Sequence, residues 1–210
     1  MSTQVTAATE SLWSGGRSPY AVNSKKFGMW LFLISDSLTF AAMLFAYTYS
    51  RVTNPDWPKP FDFSPAIIFS TVMTFCLLSS SLTMVLAVNA MSHGDRKGTV
   101  KWLIATMIGG GAFVVLHMSE WLKLINVEHV TPFGNPWGVP LFGGTFFALT
   151  GLHMTHVIIG LIYLLVMVVA VGRGKFKAED VEVAGLYWHF VDLVWMFIFP
   201  LVYLMSARVG

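Results

Sequence analysis

Cysteine occurs once in 210 residues, at Cys76. That excludes a disulfide or a cysteine-built metal site within the chain; inside an apolar run, a small buried packing residue is its expected role. Charge is also scarce, at 11%, where a soluble domain carries about 25%. With 55% hydrophobic residues and a mean hydropathy of +0.66, an ordinary soluble globule is excluded. The net charge is only +2, and no basic cluster stands beside an aromatic platform, so a nucleic-acid partner is not expected. The first 26 residues, ending AVNSKK, lack the apolar centre of a secretory signal and are expected to form a cytoplasmic tail.

What is present is a set of long apolar runs, about 27–49, 66–91, 100–122, 142–171 and 183–207. Roughly 20 such residues cross a bilayer as a helix. The expectation is an all-α membrane protein, with residues 27–210 forming a bundle of five transmembrane helices. Lysine and arginine set its orientation. Arg17, Lys25, Lys26, Arg96, Lys97, Lys101, Arg173, Lys175 and Lys177 share one side; Arg51, Lys59, Lys123 and Arg208 share the other. Nine against four places the amino terminus inside and the carboxyl terminus outside. The connections are short: SHGDRKG reads as a tight turn. RVTNPDWPKPFDFSP is a proline-rich loop with Trp57 and Phe61 expected at the membrane interface, and NVEHVTPFGNPWGVP is a second such loop with Trp137.

Polar residues inside the runs are ordered. In the last run Glu182, Gly185, His189 and Asp192 follow spacings of 3, 4 and 3, one stripe of a helix. TGLHMTHVIIG puts His153 and His156 three apart, with Gly160 beyond; the first run holds Ser35, Asp36 and Thr39; the third holds GGG at 109–111, then His117 and Glu120. At 1.5 Å per residue, Asp36, His153, His156 and Asp192 fall in one layer at mid-membrane, with His189 slightly nearer the inside. A charged group there costs at least ~2.5–3.5 kcal/mol, so it requires a partner, burial or a use. Three readings stay open: a cross-helix hydrogen-bond network, with His189 and Asp192 paired to a histidine of the fourth helix; a haem or metal site, as in a b-type cytochrome; and proton handling centred on Asp36. Trp188 and Trp195, deep in the last run, are expected to pack or to meet lipid. Arg96 and Lys97 are candidates for phosphate headgroups. The GGG run is expected to allow close helix approach.

FGMWLFLISDSLTF (27–40), SEW (119–121), GTFFALTGLHMTHVIIGLIYL (144–164) and EVAGLYWHFVDLVWMF (182–197) resemble subunit III of the haem–copper terminal oxidases, in its short five-helix bacterial form. The resemblance covers nearly everything after Lys26. It implies a non-catalytic subunit of a proton-pumping oxidase in a bacterial plasma membrane. Such a subunit binds no haem, copper or other metal itself, packs on subunit I beside subunit II and other oxidase subunits, and holds phospholipid. It also supports proton uptake and resistance to turnover inactivation. The family's buried carboxylate falls on Asp36, where mitochondrial forms have glutamate, and makes it the proton-antenna candidate. The other matched positions are Glu120, His153, His156, Glu182, His189 and Asp192. His117 stands where the family usually has glutamine. Cytochrome c is favoured over quinol as the electron donor. A small transporter would be expected to show inverted repeats or broken helices, and neither is evident.

Overall fold

The structure, a computed structural model, describes residues 24–62 and 66–208. The expected tail at 1–23, with Arg17, lies outside the described residues. Among the described residues five helices are long and apolar enough to cross a membrane: α1 (Ser24–Thr53), α2 (Ile68–Ser92), α3 (Arg96–Asn126), α4 (Pro140–Gly172) and α5 (Ala178–Ile198). Their ends do not coincide with those of the apolar stretches, because local chemistry as well as hydropathy sets them. The Asp95 side chain accepts from the Gly98 amide at 2.9 Å and starts α3. Pro140, whose missing N–H costs nothing in a first turn, starts α4. Asp180 accepts from the Lys177 amide at 3.0 Å and starts α5.

The SHGDRKG turn is as tight as expected, and Gly94 takes the left-handed conformation, φ +78°, that its reversal requires. At the far end of α5, Pro200 removes an amide from the ladder, and the helix widens into a π-turn, Phe199–Tyr203, before one 3₁₀ turn, Leu204–Ser206. Two short strands, β1 (Phe61–Asp62) and β2 (Ala207–Arg208), then pair in parallel. They tie the first proline-rich loop to the end of the chain. Trp57 and Phe61 are buried within the protein, at 9% and 2% exposure. The loop folds inward, setting Trp57 edge-on to Tyr47 and Phe142 and Phe61 against Tyr203.

The helices ring α5, which packs against α1, α2 and α4, while α3 closes the ring between α2 and α4. Half of the apolar window of α5 is buried, against 11% for α1. Trp188 and Trp195 are therefore core residues with no exposed surface, which corrects their expected contact with lipid. The Trp188 indole occupies space opened by Gly110 and Gly160: added Cβ atoms there would stand 2.5 and 2.9 Å from its ring. Gly109 likewise lets α3 approach Ser80 and the Cys76 carbonyl of α2, while Gly111 faces open space. Cys76 itself is half-buried. Arg96 and Lys97 are exposed at the start of α3.

Candidate functional site

The polar layer resolves into separate sites on different faces of α5. On one side α1 brings Asp36 to α4, and Asp36 Oδ2 stands 3.2 Å from His156 Nε2. His156 Nδ1 is 2.8 Å from the Leu152 carbonyl, which can only accept, so Nδ1 carries the proton. Nε2 therefore faces the carboxylate with its lone pair, or with a second proton once the ring is charged. Tyr187 of α5 donates to the His156 carbonyl at 3.0 Å and holds that turn in place. The Asp36 and His156 side chains are 14% and 12% exposed, so the pair is covered but not sealed. Ser35 and Thr39, expected to flank the carboxylate, instead bond carbonyls of their own helix.

His153, one turn from His156, points elsewhere. It has no exposed surface and stacks on Trp195, ring centroids 5.0 Å apart. His117 of α3 stacks on Phe113 at 5.6 Å and meets the same indole edge-on. Neither imidazole has a hydrogen-bond partner among the described residues. Trp195 is thus sandwiched in a buried aromatic cluster with two histidines in it, and its Nε1 donates to Thr74 at 2.9 Å. Nearer the loop-rich end Glu120 accepts from Ser70 Oγ and from Tyr203 OH, both at 2.8 Å, with His117 Nδ1 3.6 Å away.

The expected partnership of His189, Asp192 and an α4 histidine is not formed. This stretch of α5 turns toward α2, and Ser81 bonds His189 Nδ1 at 2.6 Å. Asp192 is 4% exposed, and its oxygens make no hydrogen bond of ordinary geometry beside that serine. Glu182 also leaves the expected buried network: its side chain is 44% exposed and pairs with Lys26 at the end of the bundle, next to the Lys25–Asp180 pair. Exposed pairs of this kind contribute little. Glu182→Gln is accordingly expected to leave subunit retention and the thermal midpoint of the assembled protein within a degree or two of wild type, checked by calorimetry in detergent.

Sequence reasoning missed the hydroxyl row of α2. Ser70, Thr74 and Ser80–Ser81 lie on one face, and they meet Glu120, Trp195, Trp188 and His189 in turn. The signal was present as spacings of 4, 3 and 4 through Ser70, Thr74, Leu77 and Ser81. Among the described residues no group of three or more histidine, cysteine or acidic side chains is placed to hold a metal ion.

Comparison with known proteins adds an independent finding. A family model described as cytochrome c oxidase subunit III matches residues 4–207. The cytochrome c oxidase subunit 3 of Alkalihalophilus pseudofirmus is 34% identical over 187 residues, 88% of each chain. The quinol oxidase subunit 3 of Bacillus spizizenii is 33% identical over 182 residues, 85% of this chain and 86% of that one. The cytochrome c oxidase subunit 3 of Papio hamadryas is 31% identical over 204 residues, 92% of this chain and 74% of that one.

Proposed function

The chain belongs to the cytochrome c oxidase subunit III family, and from that premise we propose that it is the non-catalytic third subunit of a proton-pumping terminal oxidase that takes electrons from cytochrome c. In this reading it lies in a bacterial plasma membrane with its amino terminus inside. It packs against subunit I beside subunit II, and haem and copper sit in those partners. It stabilises subunit I, holds phospholipid and feeds protons toward it. A quinol donor is the second reading, favoured by a quinol oxidase subunit among relatives of equal similarity.

The Asp36–His156 pair is the observation that supports a part in proton uptake. Its geometry suits a proton store. The imidazole is oriented by the Leu152 carbonyl and its other nitrogen faces a carboxylate, so a proton could pass between the two groups. The chemistry needs no covalent step: the pair takes a proton from the surroundings and returns it to a neighbouring acceptor.

The test is oxidase turnover against pH. Asp36→Asn keeps size and polarity and removes the carboxylate. Assembly is expected to survive, while turnover above neutral pH falls several-fold relative to wild type and converges with it at low pH. A wild-type profile in the variant rules out the proton role. A complex from which this chain has been removed is expected to reduce oxygen at first and then to inactivate during turnover. Immediate loss of all oxygen reduction would rule out the accessory role.

A further inference from the structure

The outward face of α5 meets α1 along a groove. Two cavities in it, of about 340 and 260 Å³, adjoin and share Ser37, Phe190 and Leu193. Together they run from Trp30 to Leu44 on α1 and from Leu186 to Phe197 on α5, roughly 16–21 Å at 1.5 Å per residue. Two polar side chains line these otherwise apolar walls. Ser37 spends its proton on the Ile34 carbonyl at 2.7 Å. His189 does not complete its bonding within the chain. Its Nδ1 meets Ser81 of α2 at 2.6 Å, Nε2 has no hydrogen-bond partner among the described residues, and the residue is half-buried. We propose that the groove seats one transmembrane helix from another subunit of the complex, and that this helix offers His189 Nε2 a hydroxyl or amide side chain. The proposal rests on the reading of this chain as an oxidase subunit and states where, and through which atom, it holds a neighbour.

Depth decides between protein and hydrocarbon as the occupant. His189 stands eleven residues beyond Ala178, the start of α5, roughly 16 Å along the helix and well inside the span. Acyl chains offer neither a donor nor an acceptor there, and polar side chains within membrane spans turn toward protein partners. Shape agrees with this. The groove is as long as three to four helical turns, and Ser37 and Ala41, both exposed and four residues apart, keep the α1 wall low where a neighbouring backbone would approach. The choice of hydroxyl or amide follows from Ser81, whose single proton faces either His189 or the Asp192 carboxylate beside it. In the first case Nε2 carries the ring proton and donates; in the second Nδ1 carries it and Nε2 accepts. A hydroxyl or an amide serves both cases, whereas an ammonium or a carbonyl serves only one.

The experiment uses the intact complex with a photoactivatable phenylalanine analogue in place of Leu193, which is 56% exposed and common to both cavities. Cross-linking is expected to a transmembrane peptide of one other oxidase subunit, with a hydroxyl or amide residue within one turn of the linked position. Adducts to lipid alone, or to a span without such a residue, overturn the proposal. Variants at His189 identify the atom that matters, because a glutamine amide reaches the place of Nε2 and an asparagine amide that of Nδ1. His189→Gln is expected to keep the chain in the complex through detergent washing, whereas His189→Asn and His189→Leu cut the retained fraction at least three-fold. Retention in His189→Asn with loss in His189→Gln would mean that only the Ser81 bond counts and overturns the proposal, as does equal behaviour of all three. Should these variants fail to accumulate in the membrane, the cross-link from position 193 decides. A wild-type preparation without haem would instead count against the oxidase reading.

Discussion

Trp195→Ala is expected to release the chain from its complex or to lower the thermal midpoint of the assembly by many degrees. The indole is fully buried, stacks on His153, meets Phe113 edge-on at 4.8 Å and His117 at 5.4 Å, and donates to Thr74. Truncating a buried aromatic costs about 3–5 kcal/mol in a protein core. In a bilayer, where apolar lipid gives helices little reason to associate, packing of this kind holds the bundle together. The hydrogen bond is the smaller part. Trp195→Phe keeps most of the ring contacts and removes the N–H, so about 1 kcal/mol is expected to be lost. Subunit retention after mild detergent extraction, with the melting midpoint of the complex, separates the two variants. Equal damage from both would mean that the hydrogen bond, not the ring cluster, organises this part of the bundle.

Gly110→Leu is expected to be nearly as damaging, for the opposite reason. Even a methyl group there would lie 2.5 Å from the Trp188 ring, and at Gly160 it would lie 2.9 Å away. α3 and α4 approach α5 closely enough to grip one indole only because neither carries a side chain at the contact. Overpacking of a core costs about 1–3 kcal/mol or more. Gly110→Ala is expected to be partly rescued by Trp188→Phe, a coupling that a double-mutant cycle measures. Gly111→Ala, with open space around it, is the control and is expected to match wild type. Loss of stability at Gly111 equal to that at Gly110 would refute the glycine–tryptophan fit.

These two sites show what the sequence made legible. Five spans, short turns and the close approach of GGG all follow from apolar length and residue size, and the structure has them. The rotation of each helix about its axis is a different matter, because it depends on which neighbours the bundle supplies. From sequence alone packing and lipid contact are both open to Trp188 and Trp195, because spacing does not show that α5 is the central helix. Its polar stripe, Glu182 to Asp192, was the clue that protein rather than lipid surrounds it, since buried polar groups need cover. Partnership is harder to read than position along a helix: of Asp36, His153, His156 and Asp192 only Asp36 and His156 are brought together, while His153 joins an aromatic cluster and His189 turns to Ser81. The serines and threonines of α2 that receive these groups are unremarkable in an apolar run, and only their helical spacing marks them.

The corrected partnerships also change what Asp192 should do. With no well-formed hydrogen bond to its carboxylate, replacement by an isosteric asparagine should be close to neutral. The asparagine keeps the shape and polarity of the side chain and breaks no formed pair, so it carries little of the penalty that breaking one does. Subunit retention in Asp192→Asn equal to wild type fits this arrangement, and complete loss would show a partner the bundle alone does not contain.

The most direct test of the account is purification of this chain through an affinity tag from native membranes in mild detergent, followed by a reduced-minus-oxidised spectrum and oxygen consumption of the preparation. Haem bands and oxygen reduction are expected, with the haem carried by a larger subunit recovered in equal amount and none on this chain after dissociation. Recovery of the chain alone and without oxygen reduction, or haem retained on the dissociated chain, would contradict it.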